Sequence, residues 1–407
     1  MSDKITRKDF ILRTGAAFTG ISALGYSSIL GANDTINVGV IGTGSRGTYL
    51  AQEIAQTSNV RLVACCDVRQ ENLERGLSYA VNNAKGYTDY RKMLEHPELD
   101  AVIIATPLSL HYEMARDAVN AGKHVYCEKT MTYAIEEAQK LAAQVQDSSS
   151  IFQVGYQHRH NPLYQRIYEL VNDGSIGPIS YVKCTWNRNG DWRRPVPNPS
   201  LERLINWRMY REYSQGLMAE LCSHQIDIVN WVLGEVPGRV SGFGGIDYWK
   251  DGRETYDNVH TIFDYPSGVK GKYTAITTNA HEGYSIRFYG KKAMIEVRDV
   301  SGHQASIYAE QQARQVRADD NQADAITEPT NKAWEQGEPI PLKVEGQANQ
   351  EAGTTQMALT HFVKCIIDNK QPLSNVINGH DSAICVIMAN NAMRNGTIEP
   401  WKEEYAI

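Results

Sequence analysis

The predicted fold class is α/β: an N-terminal doubly wound parallel sheet, then a C-terminal α+β domain carrying a large, mostly antiparallel sheet. Three observations predict it. From Thr35 onward, short apolar runs alternate with helical periodicity, the pattern of strands covered by helices on both faces. After Gly155 the texture changes to longer alternating segments rich in Tyr, Trp, Val and Thr, as antiparallel strands with one solvated face require. At 407 residues the chain exceeds one typical core and suits two.

The first domain is read over residues 35–155. Strands are expected at 36–41, 60–67, 101–106, 124–127 and 151–154, with helices at 47–56, 70–84, 111–121 and 134–147. The first strand runs into Val-Gly-Val-Ile-Gly-Thr-Gly-Ser-Arg-Gly, residues 38–47. This is a G-x-G-x-x-G loop in its required setting between strand and helix. Gly42 allows the tight turn, Gly44 lets the backbone approach a pyrophosphate, and Gly47 permits close helix-to-strand contact. Thr43, Ser45 and Arg46 complete the loop, at a helix N-terminus whose unpaired N–H groups favour an anion. The Rossmann reading follows.

The second strand ends on Asp67, near the ~20-residue spacing expected of a ribose-binding carboxylate. Such a group accepts the ribose hydroxyls and repels a 2′-phosphate, which favours NAD over NADP. Arg46 and Arg69 oppose that preference, since either could pair with a 2′-phosphate. Thr106, Pro107, Glu128 and Lys129 also fall at strand C-termini, the ligand edge of this architecture.

The second domain is read over 156–407. Strands are expected at Ile179–Trp186, Arg239–Tyr248, Asn258–Tyr265, Lys270–Thr278 and Tyr284–Tyr289, interrupted by a helix at Ala219–Leu233. Glu310–Glu328 reads as a polar surface excursion. Helical patterns at 356–369 and 379–395 are expected to return and brace the first domain.

Residues 1–34 stand apart. Lys4, Arg7, Lys8 and Arg13 precede a small-residue apolar segment from Gly15 to Leu30, which reads as an export signal and linker. The segment is too mild for a membrane span, which needs about 20 strongly apolar residues. Thr6-Arg7-Lys8-Asp9-Phe10-Ile11 resembles a twin-arginine signal with Lys8 replacing the second arginine, so a periplasmic location is expected. The alternative is a cytoplasmic enzyme with an amphipathic N-terminal helix. A net charge of −6 gives no general attraction to nucleic acid. The seven cysteines are an odd count without metal-ligand spacing and read as buried small side chains, which suits export after folding.

Lys129 ends a buried strand at the ligand edge, where desolvation would lower an ammonium pKa and permit proton transfer. A structural ion pair with Glu128 is the plainer alternative. Glu220, His224 and Asp227 lie at helical spacing that puts them on one face. Glu220 and His224, with His158 or His160, could instead hold a divalent metal. The segments 156–161, 186–194 and 206–208 mix aromatic faces with multidentate polar groups, which suits carbohydrate or a subunit contact. Arg159, Asn161, Trp192, Trp207 and Arg208 are the candidate sugar contacts among them.

The chain resembles the Gfo/Idh/MocA family of sugar and polyol oxidoreductases from about Thr35 to Trp401. The marks are the glycine loop, Ala105-Thr106-Pro107 with His111, Ala121-Gly122-Lys123-His124-Val125-Tyr126-Cys127-Glu128-Lys129, and Glu220-x-x-x-His224-x-x-Asp227. The resemblance implies NAD as cofactor, with Thr106, Pro107, His111, Glu128 and Lys129 beside it. It implies Lys129 and His224 as proton-handling groups, with Glu220 and Asp227 organising the sugar, and a homo-oligomer. Thr130 stands where the family has proline, so no cis peptide is assumed, and Glu220 replaces an aspartate. The implied activity is oxidation of a ring hydroxyl of a sugar or glycoside. A glycosidase using transient oxidation, and a non-catalytic sugar-binding protein on a dehydrogenase fold, are the alternatives.

Overall fold

The computed structural model describes residues 35–300, 304–310, 338–342, 344 and 353–407. The export-signal reading and nearly all of the polar stretch after Glu310 lie outside these residues.

The first sheet is built from β1 (Ile36–Ile41), β2 (Val60–Cys66), β3 (Lys85–Tyr87), β4 (Ala101–Ile104), β5 (His124–Cys127) and β6 (Phe152–Val154). All its pairings are parallel, in the order β3-β2-β1-β4-β5-β6. Between them run helices α1 (Ser45–Ala55), α2 (Gln70–Leu77), α3 (Tyr90–Leu94), α4 (His111–Asn120) and α5 (Ile135–Gln146). Continuous apolar runs such as Ala101–Ile104 are fully buried, as strands covered on both faces must be. Strand order reverses between β1 and β4, which opens a crevice at their C-terminal ends. The helix expected at 70–84 stops at Leu77, because the chain must turn to deliver β3 to the sheet edge.

The second domain begins with α6 (Pro162–Asn172), whose N-cap Asn161 accepts a hydrogen bond from the Leu163 amide at 2.8 Å. There follow β7 (Ile179–Trp186), α7 (Ser223–Leu233), β8 (Arg239–Gly245), β9 (Asn258–Asp264), β10 (Lys270–Ile276) and β11 (Tyr284–Gly290). Beyond these lie β12 (Ala293–Val297), β13 (Ala305–Ala309), β14 (Ile340–Pro341), α8 (Thr354–Asp368), α9 (Val376–Asn395) and β15 (Glu399–Pro400). The nine strands pair in the order β14-β13-β12-β11-β7-β10-β9-β8-β15. Only β7 and β10 run parallel, so the sheet is mixed and mostly antiparallel. β9 shows the alternation behind its prediction: Val259, Thr261 and Phe263 are buried, while His260 and Ile262 face out.

The two domains share cores. Leu359, Phe362, Val363 and Cys365 of α8 join Val38, Val40, Leu50 and Ile54 in one apolar cluster over the first sheet. α9 packs against α5 of the first domain and against α7 and β8 of the second. Phe362 meets Tyr126 edge to face at 5.8 Å between ring centroids. Phe362→Ala should therefore cost about 3–5 kcal/mol in urea unfolding, the usual loss for a buried aromatic.

Candidate functional site

The glycine loop divides its work among its glycines. Gly42 has φ +85°, and a Cβ there would fall 2.9 Å from the Ala105 carbonyl oxygen. A Cβ on Gly47 would lie 1.7 Å from the Gly42 carbonyl oxygen, so helix and turn touch only because none exists. At Gly44 a Cβ would meet nothing within 4 Å and would project into open space. No side chain caps α1, whose N-cap is Gly44, so its first amides remain available. Exposed Ser45 sits at this mouth, while Thr43 is buried beneath it. These features fit a dinucleotide pyrophosphate.

Asp67 fastens the loop to the end of β2. Its carboxylate accepts the Thr43 and Arg69 amides, both at 2.8 Å, and the Asn72 side-chain amide at 3.3 Å. The group is half-exposed, and a carboxylate offers about four acceptor sites, so capacity for a ribose hydroxyl remains. Neither arginine stands free to oppose NAD. Arg46 bonds Glu128 at 2.8 Å and Thr355 at 3.3 Å, and Arg69 pairs with Glu71 at 2.8 Å.

Two of the expected cofactor-side residues are tied up by protein partners. Glu128 is 6% exposed and spends its carboxylate on Arg46. His111 is also buried, its Nδ1 2.9 Å from the Thr130 carbonyl oxygen and its Nε2 3.0 Å from that of Thr106. It is a strut between the loop after β4 and the loop after β5, and its burial pushes its pKa down despite both carbonyls. Thr106 and Pro107, at the turn it supports, stay half-exposed at the crevice.

Lys129 reaches across the domain boundary. Its Nζ donates to the Ala219 carbonyl oxygen at 3.2 Å and to that of Glu220 at 3.0 Å. Both carbonyls belong to a π-helical turn, Met218–Cys222, that precedes α7. Such a turn shifts backbone bonding to i→i+5 and recurs at functional sites. Ala219 also accepts the hydroxyls of Thr130 at 3.3 Å and Ser223 at 2.6 Å. The Lys129–Thr130 peptide is cis, although position 130 is not proline. Burial lowers the Lys129 pKa below its ordinary value; Glu220 and Glu128 resist, while Arg208 and Arg46 add to the fall.

The π turn also breaks the helical register expected of Glu220, His224 and Asp227, so the three do not share partners. Burial works against ionisation of Glu220, but Arg208 and Lys129 carry its pKa below the usual range. Arg208 Nε donates to it at 2.8 Å and Ser214 Oγ at 3.0 Å. His224 instead packs among rings: His158 stacks on it at 4.9 Å, with Trp186 at 5.8 Å and Tyr156 at 6.0 Å. Its buried Nδ1 has no protein partner, nor has that of His158. Burial drives the His158 pKa down to about 4 and that of His224 well below ordinary, so both are neutral at physiological pH.

Asp227 and Arg159, expected as sugar contacts, hold each other. Arg159 Nε and Nη2 lie 2.8–3.0 Å from the carboxylate, and the pair is sealed with Ser382 3.4 Å away. Burial pushes the Asp227 pKa up and the guanidinium opposes it. Asn161 is buried as the cap of α6. Trp207 is half-buried with the Arg208 guanidinium 4.1 Å from its ring centroid, and Trp192 is half-buried at φ +63°. Among the described residues no three His, Cys, Asp or Glu side chains converge as a metal site. His160 packs against His361, with ring centroids 4.7 Å apart. Sequence reasoning missed Ser214 and Ser223 as site residues, and no spacing signals either; Trp186 opens a segment read as suited to carbohydrate but is not singled out within it.

A family model described as "Oxidoreductase family, NAD-binding Rossmann fold" matches residues 36–156, and its partner, "Oxidoreductase family, C-terminal alpha/beta domain", matches 168–401. The uncharacterized oxidoreductase YrbE of Bacillus subtilis is 28% identical over 201 residues, 49% of this chain and 54% of that protein. The chain thus spans about half the length of that relative. The scyllo-inositol 2-dehydrogenase (NAD(+)) of the same organism is 25% identical over 89% of this chain and 95% of that protein. A solved levoglucosan dehydrogenase in complex with NADH shares the fold, with a TM-score of 0.70 at 20% identity, covering 90% of this chain and 99% of that one.

Gly44 and Gly47 should separate binding from folding. Gly44→Ala should leave thermal stability unchanged while weakening NAD binding tenfold or more by calorimetry. Gly47→Ala should cost about 1–3 kcal/mol of stability, since backbone must move to admit the methyl group.

Proposed function

The chain belongs to the Gfo/Idh/MocA oxidoreductase family, and from that premise we propose an NAD-dependent dehydrogenase that oxidises a ring hydroxyl of a sugar or glycoside to a keto-sugar. The observation that carries this reading is the Lys129 amine, set between two carbonyl oxygens at the ligand edge of the first sheet, with its pKa lowered by burial. Two of its donor positions are taken by the carbonyls. When the amine is neutral, one lone pair remains to receive the hydroxyl proton. Bound NAD supplies the hydride acceptor.

His224 is the second proton-handling group. As a neutral imidazole with an unpaired nitrogen it can orient a hydroxyl, and the rings of Tyr156, His158 and Trp186 hold its plane. Glu220, fixed by Arg208 and Ser214, balances the charge beside Lys129 and orients the sugar. Asp227 acts through Arg159, by fixing the helix that carries His224. The scyllo-inositol and levoglucosan dehydrogenases among the similar proteins support a carbohydrate substrate. The open face of the second sheet, where Phe243 is 82% exposed, supports self-association, and the N-terminal segment supports periplasmic export by a twin-arginine route. Light scattering and a measured N-terminus test these two readings.

Lys129→Met should reduce NAD turnover by about 10²–10⁴-fold, with NAD affinity retained; a variant that keeps its rate refutes the assignment. In the wild type, kcat/KM for oxidation should rise with pH as Lys129 loses its proton, through a pKa below 10.5. Lys129→Met should remove that limb. Incubation with NAD and a panel of glucosides, followed by NMR, should give a ketone and accumulated NADH. Release of free sugar without NADH would instead favour the redox-assisted glycosidase.

A further inference from the structure

The two arginines that act on Lys129 are answered by carboxylates. Arg46 pairs with Glu128, and Arg208 pairs with Glu220. Arg188 makes no ion pair among the described residues. Its guanidinium lies 5.6 Å from the ring centroid of Trp186 and 5.8 Å from that of Trp192, so it rests against two indoles. Trp186 in turn packs against His224.

Strand geometry carries Arg188 to the site. The Arg188 amide donates to the Ile276 carbonyl oxygen at 2.8 Å, which carries the parallel β7–β10 pairing two residues past Trp186, before Asn189 bridges Thr278 in the antiparallel sense. Side chains two apart on a strand share a face. Arg188 therefore follows Cys184 and Trp186 on the face that packs toward α7, one step beyond the indole touching His224. Arg188 is exposed, so the partial shielding that lowers its pKa leaves its edge open to a ligand, and no carboxylate offsets the fall. A guanidinium stacked on aromatic rings keeps its edge N–H groups free, in a planar fork that matches a carboxylate.

We propose that Arg188 makes this site selective for a sugar bearing a carboxylate, a hexuronic acid or its glycoside. The inference rests on the dehydrogenase reading for its chemistry but not for its binding. The substrate carboxylate would supply the counter-charge that the protein withholds, and the indoles would hold the guanidinium plane. A neutral hexoside would leave the cation without a counter-charge.

The test compares methyl β-D-glucopyranosiduronate with methyl β-D-glucopyranoside on the full chain loaded with NAD. Wild type should favour the uronate at least tenfold in kcat/KM and in Kd by calorimetry. Arg188→Met and Arg188→Gln should bring that ratio down toward one. The glutamine variant separates charge from hydrogen bonding. A wild-type ratio near or below one overturns the proposal, as does a ratio that survives both substitutions. Should wild type oxidise neither compound, the dehydrogenase reading fails, and the calorimetric ratio alone decides the role of Arg188. Should a variant fold poorly, the wild-type uronate Kd must still weaken with added salt while the glucoside Kd does not; equal salt response sinks the idea.

Discussion

The carbonyl oxygen of Ala219 is the point on which the site depends. It accepts Lys129, Thr130 and Ser223, so one backbone group ties the loop after β5 to the turn before α7. Lys129 comes from the parallel domain and Ala219 from the antiparallel one. The amine is therefore placed only when both domains are docked. An ordinary α-helical turn would engage that carbonyl with the backbone N–H four residues on; the π-helical turn changes this pattern, and side chains occupy the oxygen.

Around that point, burial and charge act in opposite directions on neighbouring groups. Desolvation disfavours the charged forms of Lys129, His158 and His224, and it would do the same to Glu220 without Arg208 and Lys129 beside it. The outcome is a carboxylate that stays ionised next to an amine inclined to release its proton and imidazoles that refuse one. Environments that push neighbouring groups apart in this way are what acid–base chemistry requires. Asp227 and Arg159 lie one step further in, and their mutual pairing removes them from the exchange.

Much of this was legible in the sequence. The alternation of apolar runs placed five of the six parallel strands, because strands buried on both faces have a simple signature. The missing one, β3, has three residues and two of them are exposed, so no hydrophobic pattern marks it. α6 was overlooked although Asn161-Pro162 is a helix-start signal, and β12 and β13 passed unread because each has only five residues. The glycine loop could be read residue by residue, since its demands are steric and local. Glu220, His224 and Asp227 illustrate the limit. Their spacing implied a shared face, but a π turn interrupts the helix where Lys129 and Thr130 bond its carbonyls, tertiary contacts that helical periodicity does not encode. Arg159, Asn161 and His111 are read as binding groups from residue type, and the structure adds the protein partners that type alone does not reveal.

The return of α8 to the first sheet has a consequence for biosynthesis. Val38, Val40, Leu50 and Ile54 complete their cluster only with Leu359, Phe362 and Val363. A ribosome must therefore translate some three hundred further codons after the glycine loop before the first domain can close its core. Until then the nascent N-terminal half carries an uncovered greasy flank, so a need for chaperone protection during synthesis is built into the topology.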